Sequence, residues 1–223
     1  MRPVFYDLHL HSCLSPCGDM DMTPNNIVNM SLLKGLELIA LTDHNSCKNC
    51  PATLAVARQA GLAVIPGMEL TTAEEIHVVC LFPTLEAAMG FDAYVHDRLA
   101  PVKNAPEIFG EQWVLDELDQ PMAQEELLLI NATTIGISQA PAAVAAFGGL
   151  CYPAHIDRPS NSVLANLGFL PPECGFSTLE VHSPETFFAN GANGAYWEGY
   201  HILTSSDAHY LEQINERERC LHL

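Results

Sequence analysis

The segment 7-DLHLHS-12 places two histidines two residues apart in a run of strand-forming residues. In a pleated strand residues i and i+2 face the same way, so Asp7, His9 and His11 share one face and Tyr6, Leu8 and Leu10 the other. Two neutral imidazoles on one rigid face can converge on a single divalent ion, whereas two ordinary core histidines would each need a buried partner. Near the other end of the chain Asp207-Ala208-His209 repeats the spacing. Between them stand Asp43, His44, Glu69, His77 and His155, and imidazole with carboxylate is the ligand set of zinc, manganese or iron. Each has a bland alternative when taken alone: Asp43 a turn cap, Glu69 a solvated loop residue, His77 a half-buried core side chain.

Scattered positions act together only if the elements between them bring them together. Strand and helix signals alternate, the pattern of an α/β protein with mainly parallel strands. Seven strands are expected, over about 4–11, 36–44, 62–70, 75–82, 150–155, 178–183 and 201–209. Helices are expected after Thr23-Pro24, an N-cap with proline at the first helical position, and over about 52–60, 85–99 and 141–147, with Gly35 and Gly61 as stops. His9 and His11 end the first strand, Asp43 and His44 the second, Glu69 the third, His155 the fifth and Asp207 with His209 the last; His77 lies within the fourth. In a closed parallel barrel such carboxyl ends meet at one mouth, where these folds carry their chemistry. The pattern weakens over about 100–131, a hairpin or an insertion.

Composition narrows the function. At 223 residues the chain suits one domain with a single core, read here as residues 1–223 with the insertion at about 100–131. The amino terminus runs straight into a strand without a signal segment, and no apolar run approaches membrane length, so a cytoplasmic protein is expected. Nine basic against 27 acidic residues give a formal charge of −18, which argues against nucleic acid as a partner held by broad phosphate neutralisation. Bound divalent cations would make the site locally positive and able to attract a small anionic substrate. Eight cysteines without a secretion signal favour reduced thiols or metal ligands over disulfides.

The set 7-DLHLHS-12, 42-TDHN-45, 67-GMEL-70, 77-HVVC-80, 154-AHIDRPS-160 and 205-SSDAH-209, in this order, resembles the PHP (polymerase and histidinol phosphatase) superfamily of metal-dependent phosphoesterases. The resemblance spans Tyr6 to about Leu211. It implies a distorted (β/α)7 TIM-like barrel and two or three divalent ions, zinc, manganese or iron. Carried over position by position, His9, His11, Glu69 and Asp207 would hold one ion, Glu69 would bridge to a second held by His77 and His155, and His44 with His209 would take a third. Where the family has an Asp-Gly or a histidine after the first strand, this chain reads 12-SCLSPCGDMDMTP-24. Cys17 occupies the aligned place, and Asp19 is favoured over it because a carboxylate keeps the hard ligand type.

The resemblance implies hydrolysis of a phosphoester in a small phosphorylated metabolite or nucleotide by metal-activated water. Arg158 could clamp the phosphate or make a surface ion pair, and His182 could contact substrate, act as an acid or orient a ligand. The rival readings are a nuclease trimming short oligonucleotides and a metal-binding regulatory domain without turnover. Cys47 and Cys50 have zinc-type spacing and with Cys13 and Cys17 could form a separate metal site or a redox pair, against the simpler reading of reduced thiols.

Overall fold

The computed structural model describes residues 2–222. In chain order it forms β1 (Pro3–Leu10), α1 (Pro24–Leu33), β2 (Leu38–Leu41), α2 (Cys50–Ala60), β3 (Ala63–Thr71), β4 (His77–Leu81), α3 (Leu85–His96), α4 (Pro106–Phe109), β5 (Trp113–Leu115), β6 (Pro121–Gln124), α5 (Ala140–Ala146), β7 (Leu150–Pro153), α6 (Val163–Leu167), β8 (Thr178–Glu180), α7 (Pro184–Phe187), α8 (Gly194–Gly199), β9 (His201–Leu203) and β10 (Cys220–His222). The helix signals act as expected: the Thr23 side chain accepts from Asn26 N ahead of Pro24, Thr84 caps α3, and Gly61 ends α2 at φ 81° in the left-handed region. β9, the last of the strands expected, stops at Leu203, because residues 204–209 leave the ladder to build the site.

Six strands make one curled sheet in the order β10-β1-β2-β3-β4-β7, while β8 and β9 pair in parallel and β5 with β6 forms a hairpin. The expectation of mainly parallel strands needs correction at one of the expected strands, the fourth. β1, β2, β3 and β7 run in the same direction, whereas β4 is antiparallel to both β3 and β7, and β10 is antiparallel to β1. The physical reason is the short 72–76 connection, which holds a hairpin and leaves no room for a crossover helix. The gap between β7 and β1 is spanned by the β8–β9 pair. Ile156 N donates to Glu180 O at 2.9 Å on one side, and Leu8 N to Ser205 Oγ at 3.3 Å and His11 N to Ala208 O at 3.0 Å on the other. The result is the expected α/β, barrel-like architecture.

Two apolar layers hold it. Ile39, Leu41, Met68, Val78, Phe91 and Val144 pack between the sheet and the helices, and Tyr6, Leu8, Ala40, Val79, Tyr152 and Ala154 pack inside the curl. Each large aliphatic or aromatic side chain buried this way contributes about 1.5–3 kcal/mol. A register shift between Asp7 and Leu10 breaks the simple alternation of β1: Leu10 joins the outer layer while Tyr6 and Leu8 stay inside. Asp7 therefore stands apart from the two histidines, its carboxylate accepting from Ser206 N and Asn215 N at 3.0 Å each.

The weakly patterned stretch is the β5–β6 hairpin with its flanking turns, tied to the loop that follows β2. Asn45 Nδ2 donates to Leu129 O at 2.7 Å and Asn131 O at 2.9 Å, while Asn49 donates to Trp113 O and accepts from Leu115 N. Among the described residues no helix is long and apolar enough to cross a membrane.

Candidate metal centre

Glu69, fully buried in β3, is the hub on which four strands deliver imidazoles. From β1, His9 Nε2 lies 3.1 Å from Glu69 Oε1 and 3.4 Å from Asp207 Oδ1; His11 Nε2 lies 3.3 Å from Glu69 Oε2 and 3.0 Å from Asp207 Oδ1. After β2, His44 Nδ1 comes within 2.9 Å of Oε2. His77 Nδ1 and His155 Nε2 reach Oε1 at 2.9 and 3.2 Å. His77 opens β4 rather than ending it, and the reversed direction of that strand is what brings it to the mouth. His155 and Asp207 have φ of 29° and 54°, left-handed conformations that turn their side chains off the strand ends into the cluster.

Three overlapping groups result, each with its donor atoms within 4.8 Å of one another: His9, His11, Glu69 and Asp207; His44, Glu69 and His77; and His11, His44 and His209. Further hydrogen bonds aim the rings. Glu180 takes Nδ1 of His9 at 2.9 Å and the backbone N–H of His155 at 3.0 Å. Ser15 Oγ stands 2.9 Å from Nδ1 of His11, and the Asp207 carbonyl 2.8 Å from Nδ1 of His209. In each case the opposite nitrogen is left as a lone-pair donor toward the centre. Asp43 coordinates the scaffold instead: its carboxylate accepts from Ser12 N, Ser12 Oγ and Ser15 Oγ at 2.7–2.8 Å, holding the loop after β1.

Electrostatics divide the histidines. Burial works against protonating His9, but the Glu180, Glu69 and Asp207 carboxylates outweigh it and raise its pKa well above the ordinary value. His11 likewise rises to about 9 against burial, through its contacts with Asp207 and Glu69. His44 falls to about 4 and His209 to about 3, both through burial first and then the neighbouring His11 charge. Against burial, the surrounding imidazoles hold Glu69 and Asp207 below the usual carboxylate range.

The donor set fits a divalent cation. His9 Nε2, His44 Nδ1 and Glu69 Oε2 are buried and have no hydrogen-bond partner of adequate geometry. Three such atoms in one place would be costly for a site built to remain protein alone, and coordination would satisfy atoms of this kind.

Eight of the nine expected metal ligands thus come together: His9, His11, His44, Glu69, His77, His155, Asp207 and His209. Asp19 does not join them, because its carboxylate accepts from Asp21 N at 2.8 Å and closes its own turn. Cys17 instead opens onto a cavity of about 650 Å3 shared with Arg158, His182, Asp207, His209 and Arg219. Arg158 Nη1 is 2.6 Å from Asp207 Oδ2, and Nη2 is 3.4 Å from His182 Nδ1, so both residues expected to meet substrate stand at the rim. Burial and then Arg158 pull His182 below its ordinary value. Glu180 and Ser15 escaped the sequence reading. Glu180 sits two residues before His182 in 178-TLEVHS-183, where alternation alone would have pointed it to the same side. The four-cysteine site is not formed: Cys13 lies by the Trp113 carbonyl, Cys47 and Cys50 are buried against Gly67 O, and among the described residues no metal-type group contains cysteine.

Known proteins are similar to this chain over part of their length. Over 83 residues the chain is 36% identical to the 5'-3' exoribonuclease Rnm of Salmonella typhimurium, covering 35% of this chain and 27% of that protein. The chain spans less than half the length of the curated relatives it matches. Among solved structures it is similar to the lesion-specific endonuclease PfuEndoQ of Pyrococcus furiosus (TM-score 0.67, 20% identity, 94% of this chain and 49% of that one). It is also similar to a proposed metal-dependent phosphoesterase of Bifidobacterium adolescentis (TM-score 0.65, 19% identity, 99% and 93%). Endonuclease Q is also solved with a 27-mer duplex substrate. That finding and the exoribonuclease match overturn the expectation against nucleic acid. Net charge over the whole chain does not decide the point, because bound divalent cations can make a site locally positive in an acidic protein. The model of the PHP domain matches residues 7–144, more than half of the chain, and the chain belongs to that family.

Proposed function

We propose that the chain is a metal-dependent hydrolase of phosphoester bonds acting on a small phosphorylated metabolite or nucleotide. The observation that carries this reading is the convergence of six histidines and two buried carboxylates, several of their atoms unsatisfied, beside an open cavity with arginine at its rim. His9, His11, Glu69 and Asp207 would hold one ion, Glu69 with His77 and His155 a second, and His44 with His209 a third, the metal being zinc, manganese or iron. When bound, such ions supply Lewis acidity and lower the pKa of a nearby water.

The chain's own residues do the rest. Arg158 presents a planar fork suited to two phosphoryl oxygens, and it pairs with Asp207 at the cavity rim. His182, drawn below its ordinary value, is neutral near pH 7. With Nδ1 turned to Arg158, its Nε2–H is free to hydrogen-bond a leaving oxygen. The buried floor of His9, His11 and Glu69 keeps bulk water from the reacting group. We further read the chain as one domain, with the segment at about 100–131 inserted beside the mouth, working in the cytoplasm, where its eight free cysteines suit a reducing medium.

A second reading, trimming of oligonucleotides, is favoured by the exoribonuclease and endonuclease likenesses. One assay tests both. Protein loaded in turn with zinc, manganese and iron is given mononucleotides, small phosphorylated metabolites and 5'-phosphorylated oligoribonucleotides, beside a His9→Ala, Asp207→Ala double variant. Phosphate release from the small substrates, lost in the variant, supports the first reading; mononucleotide release from oligomers alone favours the second; turnover unchanged in the variant sinks the assignment.

A further inference from the structure

We propose that Tyr210 and Gln213, on the wall of the cavity beside the metal centre, form a nucleobase subsite, so that the substrate unit is a nucleoside monophosphate, free or at the end of an oligonucleotide. The inference rests on the phosphoester reading above and names what is attached to the phosphate. Among the described residues that line the cavity of about 650 Å3, Tyr210 alone carries a phenol ring, and 44% of the residue is exposed. It directly follows His209, one of the donors of the metal centre, and shares the cavity with Arg158 and Asp207. A group esterified to a phosphoryl held at Arg158 therefore occupies the space that this ring walls. A cavity of that order accommodates a nucleotide.

The amide beside the ring is fixed in direction. Gln213 Oε1 accepts from His209 N at 2.9 Å and from Tyr210 N at 3.2 Å, which leaves its Nε2 hydrogens without a partner among the described residues, on the wall of the same cavity. An aromatic face next to an oriented N–H donor matches a nucleobase, which is flat and carries ring nitrogens and carbonyls that accept hydrogen bonds. A sugar phosphate offers no such face. The wall itself is fastened from below. Asp7, fully buried and apart from the metal centre, accepts from Ser206 N and Asn215 N at 3.0 Å each, and Lys34 Nζ donates to Glu212 O at 2.8 Å and to Ile214 O. The segment 206–215 is thus tied to β1 and to the end of α1, and a wall already ordered lowers the entropic cost of binding.

Calorimetry on protein loaded with zinc or manganese tests this apart from turnover. The probes are adenosine 5'-thiophosphate, ribose 5-thiophosphate and a 5'-thiophosphorylated adenosine dinucleotide with a thiophosphate linkage, all slow to hydrolyse. Wild type, Tyr210→Ala, Tyr210→Phe and Gln213→Glu would be compared, with metal counted by elemental analysis and folding checked by circular dichroism. Wild type should bind the adenosine probe about 5–150-fold more tightly than the ribose probe, the range that one stacked base contributes. Tyr210→Ala should bring that ratio close to one, and Tyr210→Phe should keep it. Gln213→Glu retains the acceptor for both backbone N–H groups but loses the donor, and should reduce it. A dinucleotide bound at least as tightly as the mononucleotide makes the end of an oligomer the source of the base, and one bound more weakly makes it the free nucleotide. A ratio near one in wild type, or a ratio that survives in Tyr210→Ala, overturns the subsite and leaves the phosphoester reading standing. Wild type that holds metal yet binds none of the probes overturns the phosphoester reading itself.

Discussion

The Glu180 carboxylate lies 2.9 Å from Nδ1 of His9 and also takes the backbone N–H of His155 at 3.0 Å, so one buried acid orients donors arriving from two different strands. Such an outer carboxylate sets the tautomer and raises the basicity of the ring it holds. Glu180→Gln should therefore lower metal affinity about 10–100-fold while the chain still folds. Competition titration against a chromophoric chelator measures it, and affinity unchanged within about twofold would remove Glu180 from the centre.

Metal and proton compete for His11. In metal-free protein its pKa stands at about 9, so below that value a cation must expel a proton to reach the ring. Affinity should rise with pH and level off near 9, by about tenfold per pH unit for each proton displaced. Calorimetry in buffers of different ionisation enthalpy counts those protons. An affinity flat from pH 6 to 9 would contradict the His11 assignment.

Stability of the chelator-treated protein should follow the same pairs. The His11 contribution is complete below the unfolded value of 6.5 and is lost as pH rises through about 9. Glu69 and Asp207, held low, contribute above the ordinary carboxylate range, and that contribution disappears on acidification. The melting temperature of metal-free protein should thus fall both in acid and above about pH 7. Metal should flatten the alkaline limb, and a melting temperature still rising through pH 9 without metal would count against the ion pairs.

Arg158 is placed to meet the phosphoryl group when it leaves Asp207. Arg158→Ala should reduce kcat/KM on the substrate found by screening about 10²–10³-fold with metal content unchanged. Lysine should restore little, because a point charge cannot replace a two-toothed fork. Steady-state kinetics beside elemental analysis would expose a merely structural role, which would lower both together.

Asn45, at φ 48°, donates to Leu129 O and Asn131 O and accepts from Thr71 N at 2.9 Å, joining the hairpin segment to the loop that carries His44. Asn45→Ala should cost about 2–4 kcal/mol, since buried carbonyls and an amide lose their partner at once. Denaturant titration gives the magnitude. Hydrogen exchange should quicken over 100–131 first, and uniform quickening would deny the segment its separate anchorage.

The chain's own order of residues singled out eight of the side chains that the fold gathers around Glu69. The i, i+2 pairs at His9 with His11 and Asp207 with His209, and acids or imidazoles at strand ends, are local patterns, because strand periodicity fixes side-chain direction without long-range information. The alternation of strand and helix likewise announced the α/β class. Only the tertiary structure decided the rest. The β1 bulge that separates Asp7 from the histidines and the reversal of β4 that brings His77 to the mouth depend on pairing between strands, which one strand's sequence does not encode. Glu180 beneath His9 is separated from it by 171 positions, and Asp19 lost its place to a hydrogen bond within its own turn. Distances between segments far apart in sequence are set by how the layers pack, so a ligand's type can be read in the chain while its partners emerge only from the fold.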